Sequence, residues 1–358
     1  MFKFYLSTLK LNSIGHLIYN PIRFFYLYQE RKKIYMLINR NEIVNKAAYD
    51  IIKNNYQSDK VVFIENKFFV YVFRKLIILS KNLKFLNNFI NNIETFHNRH
   101  TSKIDWEEYF SNPLKKNGGF STSHFDKHSL INKQKIKISK FFFDYYKNWK
   151  KKNNIIHKHV LIFSRDEGYY QEQKIDPRNG NFAKLHSTIE FLTKQNIKVI
   201  RIGRNPYQKY YSNSDLFFDY SEKFKNNYDD IAEVMLFSDC KFLISNNSGI
   251  NSIQWLFDNK IIIYDHFPIG YRPAFRNCVY ILKKLKNNNS YIQYKDVPKD
   301  LKLSEDIDDY SKNDIYIEEN SEMEILELVK NNFDNLNLEY KIDYNKFIVL
   351  DSGENATL

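Results

Sequence analysis

Glycine and proline are scarce in this chain, nine and seven among 358 residues. That excludes collagen-like repeats and argues against long low-complexity linkers. Cysteine is scarcer still. Cys240 and Cys278 are the only two, with no zinc-type spacing, so a disulfide scaffold is excluded and a reducing compartment fits. No apolar run is long enough to span a bilayer: Phe68 to Leu79 is broken by Arg74-Lys75. That run reads as a buried helix or strand, with a peripheral membrane contact as the lesser reading. After Met1, Phe-Lys-Phe-Tyr-Leu leads into no long apolar core and no small-residue cleavage site. A cytoplasmic protein without a signal peptide is therefore expected.

What the chain does have is Lys, Asn, Ile, Tyr and Phe in excess, with 27 Tyr and 30 Phe. This is read as compositional bias rather than as a stacking platform for nucleic acid. Hydrophobic content of 43% is ample for a core. Net charge is +12 and the pI near 9.2, which suggests an anionic partner. Basic clusters sit at Arg31-Lys32-Lys33, Lys115-Lys116, Lys150-Lys151-Lys152 and Lys283-Lys284, while Glu305 to Glu327 is acidic. No nucleic-acid motif accompanies the charge, so no nucleic-acid partner is expected.

Length suits two domains. In the first half, Ile34 to Ile38 and Val61 to Ile64 read as buried strands and Asn41 to Asn54 as a helix. Phe85 to Phe96 is a candidate helix, Asp105 to Ser123 a surface loop, and Asn132 to Asn148 a helix. The polar, basic stretch from Trp149 to Lys158 places the boundary between domains 1–148 and 149–358. Beyond it, strands at Val160 to Phe163, Ile197 to Ile202, Phe242 to Ile244, Ile261 to Tyr264 and Val279 to Leu282 alternate with helices. Those helices are predicted at Phe182 to Gln195, Tyr228 to Ser238, Gly249 to Phe257 and Glu322 to Phe333. Such alternation predicts βαβ units, hence an α/β fold with a parallel sheet.

Two segments carry most of the chemistry. In His159-Val-Leu-Ile-Phe-Ser-Arg165-Asp166-Glu167-Gly168-Tyr169, an apolar strand ends in a cation. In Lys241-Phe-Leu-Ile-Ser245-Asn246-Asn247-Ser248-Gly249-Ile250, a strand ends in a small-residue turn that starts a helix. An Arg facing a helix N-terminus is a natural receptor for phosphate or diphosphate. Each residue also has a plainer reading. Ser248-Gly249 is either a diphosphate cradle or an ordinary cap. Arg165 either grips a phosphate or pairs with Asp166 or Glu167. Arg201, beside Gly203, is a second cation or a strand-end charge. Asn246 and Asn247 reach ribose or sugar hydroxyls, or tolerate a turn.

The order Ser-Arg165-Asp166-x-Gly168-Tyr169, Arg178-Asn179, Val199-Ile-Arg201-Ile-Gly203 and Ser245-Asn-Asn-Ser248-Gly249-Ile250 resembles a family of bacterial glycosyltransferases of surface-polysaccharide clusters. Ser13-Ile14-Gly15-His16-Leu17 resembles the opening of the same family. Its members look like GT-B enzymes, distantly similar to fucosyltransferases and heptosyltransferases. The resemblance implies two Rossmann-like domains facing across a cleft, with the nucleotide-sugar donor on the C-terminal domain and the acceptor on the N-terminal one. It implies that Arg178-Asn179 closes over the donor, and that no cofactor or catalytic metal is needed. His16 is then a candidate general base, because its ordinary pKa lies near neutrality, and Asp166 is its rival. Asp229-Asp230 fits first-turn helix acids better than a metal pair.

The expected function is transfer of a sugar from a nucleotide-diphosphate sugar to a glycan or lipid-linked acceptor in surface-polysaccharide assembly. Peripheral contact with an anionic membrane would suit the basic surface. The alternative is a non-catalytic glycan- or nucleotide-binding accessory protein of a glycan-assembly complex.

Overall fold

In a computed structural model the chain is described at residues 4–8, 11–27, 33–59, 61–83, 90–92, 136–156, 158–169, 176–257, 259–270, 278–288, 290–333 and 348–350. It divides into two compact units, Met1–Phe143 and Asp144–Leu358.

The first unit runs β1 (Phe4–Thr8), α1 (Ile14–Leu27), β2 (Ile34–Leu37), α2 (Lys46–Tyr56), β3 (Val61–Ile64), α3 (Lys67–Asn82) and β4 (Ile90–Asn92). Its strands are all parallel, in the order β3-β2-β1-β4. Leu6, Leu37, Val70 and Ile77 form a core between this sheet and α3. The helix expected from Asn41 starts later, at Lys46, because the Asn45 side chain caps it, accepting the Ala48 N–H at 2.8 Å. Where a helix was expected over Phe85 to Phe96, Ile90–Asn92 is a strand; parallel pairing with β1 overrides the local propensity. The run from Phe68 to Leu79 is helical, but only one side of it is buried, at Val70 and Ile77. The loop expected over Asp105 to Ser123 lies outside the described residues.

The division between the units falls within a helix, Lys140–Lys152, most of which belongs to the second. That helix spans the expected boundary at 148/149, and its Tyr146 and Trp149 are buried. Trp149 packs on Phe218, Tyr220 and Phe224, with ring centroids 5.8–6.5 Å away. The Tyr146 hydroxyl donates to Asp239 at 2.8 Å.

The main sheet of this unit comprises β5 (His159–Ile162), β6 (Lys198–Arg201), β7 (Phe217–Asp219), β8 (Phe242–Ser245), β9 (Lys260–His266), β10 (Cys278–Leu282) and, after three further short strands, β14 (Ile348–Leu350). Its order is β14-β10-β9-β8-β5-β6-β7, parallel except for β14. From β7 to β10 this is the Rossmann order, reversing between β5 and β8. β5, β8, β9 and β10 are buried along their whole length. That is why they read as unbroken apolar runs rather than alternating ones. The helices His186–Lys194 and Glu322–Phe333 cover one face, through Ile189, Leu192, Ile325, Leu328 and Val329. The three short strands β11 (Lys284–Asn287), β12 (Ser290–Tyr291) and β13 (Ile315–Glu318) form a separate antiparallel sheet.

Scarce glycine has a visible substitute. The left-handed positions are held by Asn154, Asn196, Asn205 and Asn288, with Asp265 and Asp314. Asn and Asp tolerate that region better than other side chains. Among the described residues, Gly203, at φ 117°, is the glycine that takes a positive φ.

Candidate functional site

A parallel sheet binds ligands beyond the carboxyl ends of its strands, where the strand order reverses. Here that point lies between β5 and β8, and it brings the two expected segments together. The Phe163 N–H donates to the Ile244 carbonyl at 2.9 Å. One step further, Arg165 N–H donates to Asn246 Oδ1 at 2.7 Å. The Asn246 amide nitrogen donates to the carbonyls of Arg165, at 3.3 Å, and Arg178, at 3.1 Å. Asn246 is fully buried. It ties β8, β5 and the Arg178 loop together.

Arg165 is buried, with a relative exposure of 6%. Its Nε donates to Asn179 at 3.2 Å and its terminal nitrogen to Asp176 at 2.5 Å. Its acidic partner is therefore Asp176 and not Asp166 or Glu167. Asp176 also accepts from the Arg178 backbone at 2.9 Å and from its guanidinium at 2.9 and 2.7 Å. Burial pushes the Asp176 carboxyl up, but the Arg178 hydrogen bonds, with the charges of Arg178 and Arg165, outweigh it and hold it below the usual value. The Arg178 side chain is 25% exposed, so it is the more accessible of the two cations.

Asp166 is a loop tie. One carboxylate oxygen accepts the Gly168 N–H at 3.0 Å, and the other accepts those of Tyr207 and Gln208 at 2.9 and 3.1 Å. Arg201 is committed to the core, donating to Asp219 at 3.2 Å and to the Gln208 carbonyl at 2.6 Å, over the Phe182 ring at 4.0 Å. Burial outweighs that guanidinium and pushes the Asp219 carboxyl up. Gly203 lets the chain pass the Phe163 ring: a Cβ there would lie 2.7 Å from it. Tyr169 ends a 3-10 turn, Glu167–Tyr169, and its side chain lies outside the described residues.

The turn after β8 departs from expectation. Gly249–Ile253 is a 3-10 turn, and only Gln254–Phe257 is α-helical. Ser248 precedes the turn without a capping side-chain bond. So short an element has little macrodipole, and recognition of an anion falls to side-chain cations and backbone donors instead. Asn247 turns away, donating to the Phe267 carbonyl at 2.6 Å.

Residues that sequence reading missed lie beside this turn. Gly180 lies where a Cβ would meet Asn246 at 2.9 Å, and Asp265 Oδ2 at 3.5 Å. Asp265 is fully buried at the end of β9. It exchanges hydrogen bonds with Asn320 at 2.7 and 2.6 Å, and its Oδ2 has no hydrogen-bond partner. Lys283, also buried, donates to the Asn179 carbonyl at 2.8 Å. Burial lowers its pKa against the pull of Asp265 and Glu319. The signal for Asp265 was available: like Arg165, it is a charge directly after an apolar strand.

No family model matches this chain, and no curated protein does. Solved structures do. The ADP-heptose LPS heptosyltransferase II of E. coli is 9% identical, with a TM-score of 0.50, over 92% of this chain and 98% of that one. A glycosyl transferase family 9 protein of Veillonella parvula is likewise 9% identical, with a TM-score of 0.47, over 92% and 96%. The chain has a GT-B-type fold. In the first unit, His16 lies in the first turn of α1, just after β1. Its Nδ1 is 3.0 Å from Ser13 Oγ. Asp229 caps the helix Asp230–Met235, accepting from Ala232 at 2.9 Å and from Tyr145 at 2.5 Å; Asp230 pairs with Arg204 at 2.7 Å. Among the described residues no group of three His, Cys, Asp or Glu side chains is placed to hold a metal.

Proposed function

We propose that this chain transfers a sugar from a nucleoside-diphosphate sugar to a glycan or lipid-linked acceptor in surface-polysaccharide assembly. The observation carrying this reading is the reversal of strand order between β5 and β8, with Arg165, Arg178 and the Asn246–Ser248 turn gathered at that point. In the reaction, the acceptor oxygen bonds to the anomeric carbon and the bond from that carbon to the diphosphate breaks. The electron pair leaves with the diphosphate, and the acceptor proton passes to a base. Fixed cations lower the barrier by meeting the charge that builds on the leaving group.

Arg178 is the cation offered to the diphosphate. Arg165 holds Asp176, and through it Arg178, in place. Of the two candidate bases His16 is preferred, because protonating Asp166 would weaken the three backbone bonds that its carboxylate accepts. The chemistry needs no metal in this reading, so turnover should survive EDTA; loss restored by a divalent cation would refute that part.

Calorimetry against nucleoside diphosphates and their sugars tests the whole. Arg178→Ala should weaken binding by about 1.5–3 kcal/mol, the worth of hydrogen bonds to a charged group. Unchanged affinity would remove Arg178 from the site. A second reading, a non-catalytic binding module, draws support from how fully Asp166 and Arg201 are consumed by internal bonds. It predicts nucleotide-sugar binding with no turnover of the bound donor, in any pairing with acceptor.

A further inference from the structure

We infer that the outward face of α3 docks on an anionic lipid surface. This helix is apolar on two sides. Val70 and Ile77 face the core, so burial on the sheet is already achieved. On the other side Phe68, Tyr71, Ile78 and Leu79 are exposed by 68%, 63%, 55% and 45%, with Leu83 exposed just past the helix end. Their spacing puts them on one side of the helix together with Lys75. A surface helix of a soluble domain normally turns polar residues outward, and a second apolar face marks an interaction site.

The charge says what kind. From Asn66 to Leu83 the sequence contains no Asp or Glu. Lys67 and Lys75 are exposed, and the Lys75 ammonium lies 5.7 Å from the Tyr71 ring centre. Arg74 is taken up by Glu42 at 3.0 Å. Aromatic and aliphatic side chains interleaved with lysine, and free of acid, are the composition of a helix lying in a lipid interface. An anionic surface attracts the lysines and the +12 chain as a whole. A protein partner would explain the apolar side chains, but not the lack of any acidic one.

The helix lies on the bilayer and does not cross it. Its 16 residues extend about 24 Å, and no described helix is long and apolar enough to span a membrane. The inference rests on the first unit alone and stands whether or not the nucleotide-sugar reading survives.

The test is co-sedimentation of the full chain with vesicles of phosphatidylglycerol and phosphatidylethanolamine, set against phosphatidylcholine. Binding should favour the anionic vesicles and fall as salt rises. The double variant Phe68→Glu/Leu79→Glu should lower partitioning about tenfold or more. Lys67→Gln/Lys75→Gln, which alters no core atom, should weaken the preference for anionic lipid. Circular dichroism confirms that each variant is folded. Wild-type protein that stays in the supernatant with both vesicles, or variants that sediment as wild type does, would overturn the inference. So would a concentration-dependent dimer in sedimentation velocity that Phe68→Glu abolishes without any vesicle binding; that result would assign the face to a second copy of the chain.

Discussion

Asn246 shows how one side chain can hold the shape of a strand-end turn. Itself fully buried, it accepts one backbone N–H and donates to two carbonyls. Asn246→Ala strands those groups and should cost about 2–3 kcal/mol. Asn246→Asp, although isosteric, aims a carboxylate oxygen at both carbonyls and should cost at least as much; urea denaturation measures both. These bonds reach partners 81 and 68 residues away in the chain, which is why Asn246 and Asn247 look like turn or sugar contacts in the sequence. Asp265 gives a pH-dependent prediction. Burial, opposed by Lys283 and by the Asn320 backbone, pushes its pKa up to about 6. Between about 4 and 6 the folded chain therefore holds a proton that the unfolded chain has released. This group's contribution is fully present below pH about 4 and lost as pH rises through about 6. The stability difference between wild type and Asp265→Asn should shift by on the order of 2 kcal/mol across that window. Denaturant melts at stepped pH read it, and a flat difference would deny the shift.

Among elements, those buried on both faces were the most legible. β5, β8 and β9 stand out because nothing polar interrupts them before their carboxyl ends. β4 was misread because Ile90-Asn91-Asn92 has no strand pattern of its own and is held by its pairing with β1. α1 hides behind Pro21, inside a helix of 14 residues. The turn at Ser248-Gly249 was recognised as a feature but not as a 3-10 turn, because capping residues suit both. Gly203 is the sharpest test at this scale. Its φ of 117° and the Phe163 ring 2.7 Å from a would-be Cβ penalise any side chain twice. Gly203→Ala should destabilise the second unit by about 2 kcal/mol or more, read by thermal melting.

For the whole molecule, the division at 143/144 runs through the helix Lys140–Lys152, whose buried Tyr146 and Trp149 fall in the second unit. A fragment starting at Ser139 should then unfold cooperatively. One starting at Asn154 should be weaker by about 3–5 kcal/mol, the usual cost of deleting a buried aromatic such as Trp149. Equal midpoints in urea would place the boundary elsewhere. Much of the net charge is also more local than composition implies. Lys284 pairs with Glu318 and Glu324, and Lys184 with Glu319, so the acidic stretch neutralises the basic one beside it. The strand order carries one more consequence, for the chain as it is made. β5 lies between β6, the next strand to be synthesised, and β8, whose Asn246 comes 81 residues after Arg165. A ribosome-bound chain therefore has no crevice until residue 246 has left the exit tunnel. Its half-built sheet meanwhile offers an open apolar edge on β5, a window in which a chaperone has a target and the ligand has none.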